Sequence, residues 1–281
     1  MSRLDPKRMW RYVVRRWGYP AYQVVRGGVL DAAERVAGRA RHPLTPPRRL
    51  WHLVTATSND FHTSGAAIRD FLVANGLERD HRVLDVGCGI GRLAVALTDY
   101  LSPQGAYDGF DIMPAAIRWC RNINARHPNF RFQLVDLKSD RYRPSGSRRA
   151  SDFVFPYPDE AFDFVVLSSV FTHMLPADMR NYLDQIARVM KPGGRCVISY
   201  YLMTPERRVA VDQGSSAFSF RHVGDGYWAE YADLPEAVIA YDEAGVLAAF
   251  RERGFSIVNR FGGEWAHLPI QSQDVLVARK D

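Results

Sequence analysis

From residue 82 to the end of the chain, short apolar runs alternate with segments whose apolar residues recur every three or four positions. The first pattern marks buried strands and the second marks helices with one inward face. Val83, Leu84 and Val86 predict a strand over 82–86, and Leu93-Ala-Val-Ala-Leu97 a helix over 91–101. A strand over 106–111 follows, Pro114 opens a helix over 114–126, and a third strand runs over 130–135. Phe162 to Leu167 reads as a central strand. Leu183, Ile186, Ala187 and Met190 form the inner face of a helix over 177–190, which Lys191-Pro-Gly-Gly194 stops. A fifth strand covers Cys196 to Tyr200, and a helix from Asp242 to Arg253 precedes strands over 255–260 and 274–279. Alternation of this kind implies an α/β fold, a parallel sheet with helices on both faces.

The first eighty residues read differently. Trp10, Val13, Val14 and Trp17 share one helical face over 6–18, with Arg8, Arg11, Arg15 and Arg16 mostly on the other. A second helix is expected around Val24 to Val36, and three prolines between Arg41 and Pro47 make a linker. Leu50, Trp51 and Leu53 follow, and Ser64 is expected to cap a helix carrying Ile68, Phe71, Leu72 and Val73. Residues 1–80 therefore read as a basic helical cap and 81–281 as the main domain. Within the latter, 138–152 is a polar loop and 202–240 an aromatic-rich insertion suited to a lid.

Charge sharpens this division. Residues 1–50 hold twelve Lys and Arg against three Asp and Glu, while the remainder is mildly acidic. A basic leader on an acidic body suits an anionic partner such as a membrane surface, lipid phosphate or nucleic acid. The competing readings of residues 6–18 are a solvated arginine-rich helix and docking on the chain's own body or on a second subunit of a homo-oligomer. No apolar run is long enough to span a membrane. Cys88, Cys120 and Cys196 show no paired spacing, so neither a disulfide framework nor a zinc site is expected. The chain reads as cytoplasmic, with peripheral membrane contact through residues 6–18 as one option.

In open α/β sheets ligands bind beyond the carboxyl ends of the strands. Gly87, Gly89 and Gly91 stand in a strand-turn-helix there, where missing side chains allow a ligand close to the backbone. Asp111 ends the next strand, placed to take both hydroxyls of a ribose. The spacing is GxGxG rather than the GxGxxG of dinucleotide sites, so no diphosphate cradle is expected. At Leu84-Asp-Val-Gly-Cys-Gly-Ile-Gly91 the chain resembles the class I S-adenosylmethionine-dependent methyltransferases. Phe155-Pro-Tyr-Pro-Asp-Glu-Ala-Phe-Asp163 and Val189-Met-Lys-Pro-Gly-Gly194 continue the likeness, which covers roughly Leu84 to Lys280. The resemblance implies a Rossmann-like seven-stranded, mostly parallel sheet whose last strand is antiparallel. It also implies S-adenosylmethionine as methyl donor and S-adenosylhomocysteine as product. Asp85 then matches the family's acidic residue near the methionine amino end and Asp136 the residue holding the adenine amine. Ile112 serves as an adenine wall, with Leu137 and Ser168 at neighbouring strand ends. Arg92 pairs with the cofactor carboxylate or lies on a helix surface.

For the acceptor, a histidine is the natural base at neutral pH. His173 lies just past the fourth strand, and His222 and His267 can reach the same edge. His62, Phe171, Tyr227, Trp228, Glu264 and Trp265 are candidate substrate contacts, the aromatics being suited to stacking on sugar rings. No cluster requires a metal, although Asp136 and Asp163 leave room for magnesium near the mouth. No Asn/Asp-Pro-Pro-Tyr/Phe follows strand four, which disfavours nucleic-acid methylation. The expectation is methyl transfer to a hydroxyl of a saccharide, glycolipid precursor or secondary metabolite. The alternatives are an amine acceptor or a non-catalytic cofactor-binding or scaffolding subunit.

Overall fold

The computed structural model describes residues 19–38, 42–53, 61–265 and 272–281. Before the sheet come α1 (Tyr19–Val36), a 3-10 turn (Arg48–Leu53) and α2 (Phe61–Ala74). Then β1 (Arg82–Val86), α3 (Arg92–Leu97), β2 (Ala106–Asp111), α4 (Pro114–Asn124) and β3 (Phe130–Leu134) build one wing. The other wing holds β4 (Phe162–Leu167), α5 (Pro176–Val189) and β5 (Met190–Tyr200), and after an insertion α7 (Glu243–Glu252), β10 (Phe255–Phe261) and β11 (Asp274–Lys280). The seven strands lie in the order β10-β11-β5-β4-β1-β2-β3. β1 pairs in parallel with both β2 and β4, while β11 runs antiparallel to both β5 and β10.

Strand periodicity explains why both faces are covered. Leu84, Val86, Val165, Leu167 and Ile198 point into one core, closed by Tyr182 and Leu183 of α5 and Phe250 of α7. Their neighbours Val83, Phe164, Val166 and Val197 point into the other, closed by Leu93 of α3 and Cys120 and Ile123 of α4. Chain order reverses between β1 and β4, because β2 and β3 extend one wing before β4 returns to the other side of β1. The carboxyl ends flanking this switch point leave a crevice.

Several boundaries differ from the sequence reading. Helix 91–101 shortens to Arg92–Leu97, with the Thr98 hydroxyl donating to the Val95 carbonyl beyond it. Ser64 lies within α2, not at its start, and donates to the Phe61 carbonyl. Lys191 to Gly194 end the helix at Val189 but belong to β5, and the pairing with β4 shifts from Phe162↔Met190 to Phe164↔Arg195 to absorb them. Residues 6–18 lie outside the described residues.

The insertion is a structured unit. β6 (Leu202–Met203), α6 (Pro205–Asp212), β7 (His222–Gly224), β8 (Tyr227–Ala229) and β9 (Ile239–Asp242) form a small sheet of order β6-β9-β8-β7 with one helix. Its aromatics Phe218, Phe220 and Trp228 make a satellite core with Tyr201 and with Trp265, which follows β10. Composition marks this stretch as aromatic, and the small sheet uses that area to fold.

α2 reaches the sheet through α3. A Cβ at Gly65 would lie 2.7 Å from the Arg92 carbonyl oxygen, so the two helices touch backbone to side-chain-free backbone. Gly65→Ala gains about 0.5–1 kcal/mol of helix propensity but overpacks this contact by roughly 1–3 kcal/mol. A lower urea midpoint with unchanged slope is the expected outcome; an unchanged or higher midpoint would show that the helices are free to separate.

Candidate active site

A cavity of about 200 Å³ fills the crevice at the strand ends. Its floor is the turn from β1 to α3, where Gly87, Gly89 and Gly91 have φ of 77°, 53° and 75°. The Gly87 and Cys88 N–H groups donate to the Phe110 carbonyl, and the Gly89 N–H donates to Asp111 Oδ2 at 2.8 Å. Met113 N–H donates to the other oxygen, Oδ1, also at 2.8 Å. Burial pushes the Asp111 carboxyl up, and these N–H groups oppose the shift. Each carboxylate oxygen has a second acceptor position, so two further donors can bind, as a ribose diol requires.

Asp85 and Arg92 line the same cavity. Burial pushes the Asp85 carboxyl up to about 7, against a 2.5 Å hydrogen bond from the Tyr107 hydroxyl and the nearby Arg92 charge. Burial also lowers Arg92. One acid and one base together match the ammonium and carboxylate of an amino-acid end. Gly87 lies on the cavity wall, and a Cβ there would stand 2.6 Å from Val170 Cγ2. Ile112, Met113 and Leu137 add apolar walls, and Ser168 lines the end of β4. The donor set therefore fits S-adenosylmethionine: a side-chain-free turn, a diol acceptor, apolar walls for a flat ring, and a charged pair.

Gly91 and Asp136 fall outside this group. Gly91 does not border the cavity; a Cβ there would meet Ile123 Cδ1 at 2.7 Å, so its missing side chain serves packing of α4. Asp136 is turned outward, where the Ser147 hydroxyl and Arg143 guanidinium hold its carboxyl below the usual range. It does not line the cavity. The carboxylate facing the cavity from the α5 side is Asp178. Asp163 begins β4 at the opposite end of the sheet, held by the Arg82 N–H and Lys191, so it cannot share a metal with Asp136.

His173 lies in the cavity wall inside a clasp of three separate segments. Its Nδ1 is 3.0 Å from the Glu236 carbonyl oxygen and so carries the ring proton. The Glu236 carboxylate in turn accepts from the Ser139 hydroxyl and the Asp140 N–H, both at 2.8 Å, and Arg141 donates to the Ala237 carbonyl. The Tyr142 ring meets the His173 ring edge-on at 5.4 Å. Burial, helped by the Arg141 charge, holds the His173 pKa down to about 3.

Among the described residues, the structure does not bring the other acceptor candidates to the cavity. Phe171 is fully buried against Tyr182 and Tyr200, and Trp265 is fully buried with its Nε1 donating to Asp274. Tyr227 packs on the main core and Trp228 on the satellite core. His222 sits exposed on the outer strand of the small sheet, and Glu264 is exposed. His62 bonds the Thr45 hydroxyl and stacks edge-on with His42, away from the cavity. His267 lies outside the described residues. Sequence reasoning missed Leu53, Ile68, Met113, Ser139, Tyr142, Ser169, Asp178 and Glu236, all on the cavity wall. Met113 was legible, since it follows Asp111 directly at a strand end. Ser169 holds a φ of 60°, a left-handed conformation that is costly for a serine. Its N–H donates to Ser199 Oγ at 2.7 Å.

Residues 61–259 match a protein family described as Methyltransferase domain. A demethylmenaquinone methyltransferase of Tropheryma whipplei is 32% identical over 160 residues, 57% of this chain and 56% of that protein. The chain thus spans a little over half the length of that relative. A protein of the same name from Halalkalibacterium halodurans is 26% identical over 198 residues, 68% of this chain and 74% of that one. Among solved structures, a SAM-dependent methyltransferase from Methanosarcina mazei shares the fold with a TM-score of 0.52 and 20% identity, covering 74% of this chain and 96% of that one. Because the family match runs from α2 through the whole glycine turn and into β10, the chain belongs to the class I S-adenosylmethionine-dependent methyltransferases.

Proposed function

We propose that this chain transfers a methyl group from S-adenosylmethionine to a hydroxyl-bearing, largely apolar small molecule of phenol or enol type. The carrying observation is His173, held in the cavity wall by its Nδ1–H bond to the Glu236 carbonyl, beside the apolar wall that Leu53, Ile68, Leu93 and Val170 give the cavity. Bound S-adenosylmethionine supplies a methyl already activated on a sulfonium, so the chain's contribution is alignment, at best about 7–11 kcal/mol of barrier. In this reading Asp111 takes the ribose hydroxyls, Asp85 the ammonium and Arg92 the carboxylate. Gly87 to Gly89 let the donor lie against backbone, and Ile112 and Leu137 flank the adenine.

The acceptor class follows from proton affinity. A base with a pKa of about 3 is a poor match for a saccharide hydroxyl, because general bases work best with pKa values near the operating pH. A phenol or enol, near pKa ~10 or below, is acidic enough to pass its proton to water by way of His173 as the oxygen–methyl bond forms and the sulfonium's carbon–sulfur bond breaks, leaving S-adenosylhomocysteine. With its N–H given to Glu236, the His173 ring has Nε2 left as an acceptor. Of the aromatics suited to a sugar ring, Phe171 and Trp265 are buried in cores. The demethylmenaquinone methyltransferases named above act, by name, on an apolar quinone, which agrees with the apolar wall and does not bear on the choice of a hydroxyl as acceptor atom.

Transfer of labelled methyl to phenolic or hydroquinone acceptors with apolar tails, and not to simple sugars, is the expected result of an acceptor screen. Label on sugars alone would overturn the acceptor class. His173→Ala should lower turnover on a phenolic acceptor by about 10–100-fold, the size of one lost buried hydrogen bond. S-adenosylhomocysteine affinity should stay within about threefold. Full turnover in this variant would remove His173 from the chemistry.

Asp85 gives a second signature. Below its pKa of about 7 it carries a proton, which must leave before the carboxylate can meet an ammonium. S-adenosylhomocysteine affinity should therefore rise with pH, by about tenfold from pH 6 to pH 8, with proton release at the acid end. Calorimetry in buffers of different ionisation heat reads both. Asp85→Asn should flatten the profile; a flat wild-type profile would place the ammonium elsewhere.

A further inference from the structure

α1 is amphipathic in the reverse sense to an ordinary surface helix. Its polar face points inward: Asp31 accepts the Arg48 N–H at 2.9 Å, and Glu34 accepts Arg48 Nη2 at 2.6 Å. The helix backbone comes so close to the 3-10 turn that a Cβ at Gly27 would lie 2.5 Å from the Arg49 nitrogen. The opposite face carries Tyr22, Val25, Val29 and Val36, which are 59%, 67%, 64% and 90% exposed. At about 100° per residue these four fall within one narrow arc, and Ala33 borders it. A stripe of this kind on a packed helix marks an interaction surface.

Charge selects the partner. Of the three acidic residues among positions 1–50, Asp31 and Glu34 are turned inward onto Arg48 and Arg49, against twelve Lys and Arg in the same stretch. Arg26 and Arg35 stand exposed on α1 itself. The described residues between Tyr19 and Leu53 hold Arg26, Arg35, Arg48 and Arg49 against Asp31 and Glu34, so pairing two copies through this face would bring like charge together, whereas an anionic surface would neutralise it. Among the described residues no helix is long and apolar enough to cross a membrane, so the helix would lie in the surface plane.

We propose that the outward face of α1 docks on an anionic lipid surface. Val25, Val29 and Tyr22 enter the headgroup layer while the arginines meet lipid phosphates. The 3-10 turn beneath α1 carries Leu53 into the cavity wall. On the reading of an apolar acceptor, docking therefore presents that side of the cavity to the lipid from which such an acceptor would come.

Sedimentation of the full chain with phosphatidylglycerol-containing vesicles, against pure phosphatidylcholine vesicles, tests this at low and raised salt. The wild type should bind the anionic vesicles, release at raised salt, and bind the neutral ones weakly. Val25→Asp combined with Val29→Asp should reduce binding by about tenfold or more, since it removes two apolar side chains and adds two negative charges. Both positions are exposed, so the melting temperature and S-adenosylhomocysteine affinity should not change; retained affinity separates failure of docking from failure of the methyltransferase reading. Absence of vesicle binding by the wild type, equal binding by the double variant, or a shift from dimer to monomer in the variant without vesicle binding would each overturn the proposal.

Discussion

The bond from the Gly89 N–H to the Asp111 carboxylate is the constraint on which the site depends. It ties the turn after β1 to the end of β2, and the Met113 N–H on the other oxygen fixes the start of the next connection. A carboxylate held by two backbone donors cannot swing away, so its remaining acceptor positions face the cavity. The turn can approach it because glycines occupy the left-handed positions. Gly91 adds the room that Ile123 and Cys120 need, which lets α4 close over the same turn. Backbone conformation, helix packing and ligand chemistry are thus met by the same few residues.

Around that centre the polar groups are arranged in layers. Asp85 is buried one strand position before the turn and is restrained by the Tyr107 hydroxyl, so its charge state answers to what enters the cavity. On the far side, Ser139, His173 and Glu236 come from three remote segments and close into one hydrogen-bonded clasp. The clasp fixes the His173 ring in the cavity wall, with its Nδ1–H on the Glu236 carbonyl. The wall left apolar, at Leu53 and Ile68, belongs to the segment ahead of the sheet. That segment includes the 3-10 turn on which the inward face of α1 packs.

Much of this was legible in the sequence, for a physical reason. The strands 82–86, 106–111 and 162–167 were readable to the residue because buried parallel strands are short apolar runs bounded by turn residues. The glycine turn was readable as backbone, because few other residue types hold a left-handed φ, and Asp111 as a strand-end carboxylate beside it. Asp136 was not, because a strand end fixes a position in the chain but not which way the next side chain turns; here Arg143 and Ser147 draw it outward. Phe171 and Trp265 failed similarly, since an aromatic residue near a site can serve a ligand or a core equally well. Glu236 and Ser139 have no local signal, as their contact joins segments nearly a hundred residues apart. The reversed amphipathicity of α1 was hidden because glycine and acids inside, valine outside, reads as weak periodicity until the packing partner is known.

The most direct measurement of the central claim is a calorimetric titration of S-adenosylhomocysteine into the wild type and into Asp111→Ala, with thermal unfolding of both as control. The account predicts one binding site in the wild type and about a hundredfold or greater loss in a variant that still unfolds cooperatively, as expected when charge-assisted hydrogen bonds to a buried diol acceptor disappear. No binding by the wild type, or equal binding by the variant, would contradict it.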